Sequence, residues 1–203
     1  MDQAWNDAAD KIVAAGGRLD RHGWVPATAG NISRRLEDGR MAITRSGGHK
    51  GFLTRGSVIE VNQDGKAIQR HDRPSAETLL HCQIYATFPA ARAVLHGHSV
   101  AATVLSMTEA GSNLVFTGYE LLKAFEGQTS HETSLRLPIL DNDQDIGRLC
   151  LALAPMLPSM TMGYVLRGHG VYVWGPSMDL ALARLEGLEF LLACALERRK
   201  LGS

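Results

Sequence analysis

The chain has little cysteine, few aromatic residues, no net charge and no long apolar run, and each shortage removes a class of protein. Twenty-one lysines and arginines balance 21 aspartates and glutamates across 203 residues, and no segment concentrates the basic ones. A chain that grips nucleic acid through its phosphates needs a basic patch, so no nucleic-acid partner is expected. No stretch approaches the roughly 20 apolar residues that cross a bilayer, so no membrane partner is expected either. The segment Met1-Asp2-Gln3-Ala4-Trp5 lacks a basic run followed by an apolar one, and no signal peptide is expected there. Cys82, Cys150 and Cys194 are odd in number, far apart and set among apolar residues, which is how free thiols look in a reducing compartment. A cytoplasmic protein fits both observations. Internal repeats, low-complexity tracts and Pro/Ser linkers are missing as well, so residues 1–203 are expected to form a single domain.

What is present is a soluble-domain pattern of alternating helices and strands. Apolar residues at Trp5, Ala8, Ala9, Ile12 and Val13 predict a helix from Trp5 to Ala15, with Gly16-Gly17 expected to close it. Val58 to Asn62, Asp64-Gly65 and Lys66 to Ile68 predict a hairpin around a tight turn. Ser75 is expected to cap a helix that runs to Phe88 and stops at Pro89. A strand is expected at Ala93 to Leu95, helices at Val100 to Glu109 and Tyr119 to Phe125, and an extended segment at Leu135 to Leu140. A helix from Asp145 to Leu157 precedes two strands, Gly163 to Arg167 and Val171 to Trp174, and Ser177 to Lys200 is the final helix. Helices interleaved with strands, one pair of them antiparallel, define an α/β layered domain.

Eight histidines stand out in this otherwise ordinary composition. His96-Gly97-His98 follows an apolar strand, and side chains at i and i+2 of an extended segment point the same way. The two imidazoles can therefore converge on a metal ion, with glycine leaving room for a ligand. Two partly solvated histidines at a strand end would have the same sequence. His169, flanked by Gly168 and Gly170, offers a third ligand or an ordinary hairpin histidine. Three protein ligands and an open position are the arrangement of catalytic rather than structural zinc.

Glu77 and Glu120 each open a predicted helix, where the dipole alone accounts for a carboxylate. Two segments are rich in turn-forming residues and short donors, Ala29-Gly30-Asn31-Ile32-Ser33 and Thr44-Arg45-Ser46-Gly47-Gly48-His49-Lys50-Gly51. Their backbone N–H groups, with Lys50 as a point charge, suit a phosphate; two plain polar loops would also read this way.

In order along the chain, Gly30-Asn31-Ile32-Ser33, Ile43 to Gly47, Pro74-Ser75-Ala76-Glu77, His96-Gly97-His98 and Gly168-His169-Gly170 resemble the class II aldolase family of zinc enzymes, whose members act on phosphorylated ketoses. Gly23 to Asn31, Arg45 to Gly51, Pro74 to His81 and His169 to Gly175 resemble its methionine-salvage dehydratase branch in particular. The resemblance implies a three-layer α/β/α domain with a largely antiparallel central sheet, and a homotetramer with the site near a subunit interface. It implies one zinc ion per subunit on His96, His98 and His169. Gly30, Asn31, Ser46, Gly47 and Ser75 would hold the phosphate, with His49 and Lys50 as additions. Glu77 matches the glutamate that serves the family's aldolases as ligand and acid/base, and Glu120 the glutamate assigned acid/base work in the dehydratases. A thiol that eukaryotic dehydratases carry near Thr78 is missing. An aldolase cleaving a fuculose- or rhamnulose-type phosphate shares these motifs. A non-catalytic scaffold of the same fold would be expected to lack the histidine triad.

Overall fold

The structure is a computed structural model that describes residues 3–202; Met1 and Asp2, part of the segment read for a leader, lie outside them. One eight-stranded sheet runs through it, with helices on both faces. The strands are β1 (Asn31–Arg35), β2 (Met41–Thr44), β3 (Val58–Val61), β4 (Ala93–Gly97), β5 (Asn113–Thr117), β6 (Ser134–Leu140), β7 (Gly163–Leu166) and β8 (Val171–Gly175). Their order is β3-β2-β1-β4-β8-β7-β6-β5. Only the β6–β7 neighbours are parallel among the described residues. The largely antiparallel α/β/α domain that the resemblance implied is the observed fold.

Helices α1 (Gln3–Arg21), α3 (Val100–Thr108) and α5 (Met178–Lys200) contribute buried residues to one apolar layer, and α2 (Thr78–Thr87) and α4 (Ile146–Leu153) to the other. Strands β4 and β8, at the centre of the sheet, are buried at every residue. Cover on both faces makes such strands read as continuous apolar runs, which is why they are visible in the sequence. The edge strand β5 instead alternates buried Leu114 and Phe116 with exposed Val115 and Thr117.

Several expected elements change. Gly16-Gly17 does not end the first helix, which continues to Arg21. A side chain at Gly16 would meet the Lys50 carbonyl at 2.6 Å and Leu53 at 2.7 Å, so this glycine serves close packing of α1 on the loop beside the site. The closing left-handed residue is Gly23, with φ +72°. Ser75 does not cap α2: Glu77 holds the cap position, and Ser75 lies two residues earlier. The hairpin keeps its turn, but its second arm is reduced to one bridge between Val61 and Ala67. Tyr119 to Phe125 forms a 3-10 helix over Glu120–Ala124, and the helix after Asp145 stops at Leu153. Asn31 to Ser33, read as loop, lies within β1, paired with β4 so that Asn31 faces His96.

Candidate metal centre and active-site cleft

The C-terminal end of β4 and the turn into β8 meet because these strands are antiparallel neighbours, with Gly97 opposite Val171. That pairing brings His96, His98 and His169 together, with one ring nitrogen of each within 4.8 Å of the others. Glycines permit the approach. A Cβ on Gly170 would stand 2.2 Å from the Gly97 carbonyl, and one on Gly30, whose φ is +77°, would stand 2.7 Å from the His96 carbonyl.

The rings are pre-set as ligands. His96 is fully buried; its Nδ1–H donates to the Val171 carbonyl at 2.9 Å. A neutral imidazole has one such proton, so Nε2 presents its lone pair to the centre. Nε2 makes no hydrogen bond although it is buried, a vacancy of the kind a metal ion satisfies. Tyr172 stacks on the same ring with centroids 4.0 Å apart. His169 is held through Nδ1 by the Asn142 side-chain oxygen at 3.2 Å. Burial depresses the pKa of His96 well below the usual range, and that of His98 to about 4 with help from His169. Neutral rings are the metal-binding form. The donor set fits a tetrahedral metal ion with an open position.

Glu77 completes the cluster. Its carboxylate is not spent on the helix it begins, since the cap makes no side-chain bond. One oxygen lies 3.0 Å from His169 Nε2, and the other 3.4 Å from His96 Nε2 and 2.7 Å from Asn31 Nδ2. Burial favours the neutral carboxyl, but the bond to His169 and the neighbouring imidazoles outweigh it, and the group sits well below the usual carboxylate range. An ionised carboxylate beside the three imidazoles can ligate a cation or accept a proton.

Gly30, Asn31, Ser46, Gly47, Lys50 and Ser75 line one cleft of about 310 Å³ together with Glu77, His98 and His169. Lys50 is 2% exposed, and its Nζ donates to the Thr28 and Gly48 carbonyls, each at 2.7 Å. Burial lowers its pKa to about 8. Arg45, not singled out from the sequence, also lines the cleft and pairs with Asp72 at 2.5 Å.

Two predicted residues are placed elsewhere. His49 accepts from Gly51 N at 3.1 Å, packs on Phe52 and stands 4.0 Å from Asp20, away from the cleft lining. Glu120 is exposed on its 3-10 helix and pairs with Lys123 at 2.5 Å and His131 at 3.8 Å. It follows the C-terminal end of β5, which the register puts at the opposite end of the sheet from the histidines. Sequence reasoning also missed His81, Ser33 and Tyr85, which form a buried polar row behind Asn31. The available signals were Asn31 and Ser33 at i and i+2 of one strand, and His81 four residues after Glu77 on one helix.

With this geometry, the chain belongs to the class II aldolases: residues 10–196 match the Class II Aldolase and Adducin N-terminal domain family. Among solved structures it is similar to YgbL of Klebsiella pneumoniae, at 25% identity and a TM-score of 0.83, covering 97% of this chain and 91% of that one. An L-fuculose-1-phosphate aldolase of Thermus thermophilus aligns at 26% identity and a TM-score of 0.78, covering 95% and 94% of the two chains. Far greater sequence similarity links it to the methylthioribulose-1-phosphate dehydratase of Gluconacetobacter diazotrophicus, 68% identical over 97% of this chain and 96% of that one. The protein of the same name from Gluconobacter oxydans is 63% identical over 98% and 95%.

Proposed function

We propose that this chain is a zinc-dependent hydro-lyase of methionine salvage. It converts 5-methylthioribulose 1-phosphate to 2,3-diketo-5-methylthiopentyl 1-phosphate and water. The observation that carries the proposal is a pre-set His96, His98 and His169 triad beside an ionised Glu77, in a chain 68% identical to a dehydratase of that name. Identity of only 26% to an aldolase with this fold makes carbon–carbon cleavage the weaker reading.

Zinc held by the three histidines would supply Lewis acidity toward the substrate's C2 ketone and C3 hydroxyl. Glu77, ionised and turned toward the triad, is suited to accept the C3 proton. Glu120 is assigned delivery of a proton to the C4 hydroxyl, which departs as water as the C4–O bond breaks. The resulting enol tautomerises to the diketone. Gly30, Ser46, Gly47 and Ser75 hold the phosphate with backbone and hydroxyl donors, and Lys50 supplies local charge. Asn31 spends its N–H groups on Glu77 and Ser75, so it serves the carboxylate, and His49 is left out of the phosphate site.

The chain works as a single domain in a cytoplasmic homotetramer. Support for the assembly comes from Glu120, whose place at the far end of its own sheet fits service to a neighbouring subunit's site. The deciding experiment incubates purified, zinc-loaded protein with methylthioribulose 1-phosphate and follows diketone formation. Cleavage of fuculose or rhamnulose 1-phosphate to dihydroxyacetone phosphate, with no diketone formed, would overturn the proposal. Protein that binds no zinc, with His96→Ala no different in metal content, would point to a scaffold.

A further inference from the structure

Behind the cleft a row of buried polar groups runs from Glu77 to Tyr85, and its hydrogen bonds can point in only one direction. Asn31 Nδ2 donates to Glu77 at 2.7 Å and to Ser75 Oγ at 3.2 Å. Its oxygen therefore faces the other way, where it meets His81 Nε2. An amide oxygen only accepts, so Nε2 must carry the imidazole proton. His81 is fully buried, and burial lowers its pKa to about 4, so the ring is neutral and has no second proton. Nδ1 is then an acceptor, and Ser33 Oγ donates to it at 2.7 Å. Ser33 has used its proton, so toward the Tyr85 hydroxyl at 2.9 Å it can only accept, sharing the Tyr85 proton with the Arg92 carbonyl at 3.5 Å. Reversing the row would turn the Asn31 oxygen against the Glu77 carboxylate, two acceptors facing each other in a buried site.

We propose that His81 is a positioning residue for the reaction: its Nε2–H, fixed by Ser33 and Tyr85, locks the Asn31 amide in the one orientation that donates to Glu77. His81 contacts none of the triad histidines by hydrogen bond and does not itself line the cleft. It acts through Asn31, which holds the Glu77 carboxylate against His96 and His169. This role rests on the assignment of Glu77 to the chemistry. Partners one step behind a functional ligand typically contribute about 10- to 100-fold in activity or metal affinity.

The test compares His81→Phe, which keeps a ring but removes both nitrogens, with His81→Gln, whose amide can still donate toward Asn31. In zinc-loaded wild-type protein that dehydrates methylthioribulose 1-phosphate, His81→Phe should lower kcat by about 10- to 100-fold. KM and zinc content should stay near wild type, and His81→Gln should recover most of the loss. A structural role alone would lower stability in both variants without this kcat-to-KM split. Unchanged kcat in folded His81→Phe, or equal loss in both variants, overturns the inference. A second readout needs no turnover: nitrogen-15 spectra of the histidine-labelled protein should place the His81 proton on Nε2. A proton on Nδ1 overturns the inference even if His81→Phe does not fold. Wild-type protein inactive on this substrate but carrying the proton on Nε2 would count against the proposed reaction while supporting the buried row.

Discussion

If Glu120 works in catalysis, it must do so in a neighbour's site, and mixing two inactive variants reveals this. From β4 to β5 the sheet takes four steps, through β8, β7 and β6. The pairings align His96 with Tyr172, Tyr172 with Tyr164, and Ile139 with Val165, so Pro138 lies level with His96. Thr117, opposite Ser134, lies four residues beyond that level, away from the triad. Strand spacings of about 4.8 Å and rises of about 3.3 Å per residue put Thr117 roughly 23 Å from His96. Glu120 lies further along the chain, and no glutamate side chain spans that distance. His96→Ala lacks a ligand but keeps Glu120; Glu120→Gln keeps the triad but lacks the acid. Each alone should be inactive. Co-expressed with two tags and purified as hybrids, equal random mixing places a triad-bearing subunit beside a Glu120-bearing one at about a quarter of sites. Diketone formation should recover to about that fraction of wild type. Hybrids no more active than their parents would refute service across the interface, and full activity in Glu120→Gln alone would remove the residue from the chemistry.

If Lys50 holds the substrate phosphate as proposed, it does so best while protonated, so KM should rise as pH climbs through about 8; Lys50→Arg, which stays charged, should abolish that alkaline rise in KM against pH. Glu189, 3% exposed on α5, is raised to about 7 by burial against the opposing bond to Ser99. Its folded pKa lies above the unfolded value near 4.5, so its stabilising effect is whole below that value and is lost as pH rises toward 7. Glu189→Gln should therefore match wild type in urea unfolding at pH 4 and exceed it at pH 8, by up to about 3 kcal/mol; no gain at pH 8 would refute this. Gly170→Ala places a methyl 2.2 Å from the Gly97 carbonyl, and by overpacking should cost about 3 kcal/mol and weaken metal binding in a zinc titration.

The fold was legible where burial is two-sided or a helix is long. Val171 to Trp174 and Ala93 to Leu95 are apolar without interruption because helices cover both faces of β4 and β8. β1 and β2 were harder: Asn31, Ser33 and Thr44 are buried polar residues paired across the interior, and a strand that carries polar groups inward resembles a loop when its partners are unseen. Gly16-Gly17 misled for the opposite reason. Glycine marks both helix ends and close contacts, and only the Lys50 carbonyl against α1 tells which applies. Pro138 could sit in β6 because Ile139 N bonds Ser112 on the β5 side, leaving Pro138 facing β7, whose ladder begins only at Ile139.

The site divides along the same line. Ligand spacing is a local property, so His96-Gly97-His98 announced itself, and the antiparallel pairing of β4 with β8 delivered His169. Glu77 could not be separated from a helix-start carboxylate, because what distinguishes it is a vacant cap bond and contacts to Asn31, His96 and His169, at sequence distances of 46, 19 and 92 residues. The charge balance hid the proposed phosphate site for a related reason. A small anion needs one or two cations placed well, and a lysine that gives two protons to backbone carbonyls has one left to aim. Burial of that lysine makes its charge costly until an anion arrives, so the cleft is electrostatically incomplete without its ligand. Net charge records none of this, and the loop geometry around Thr28 and Gly48 records all of it.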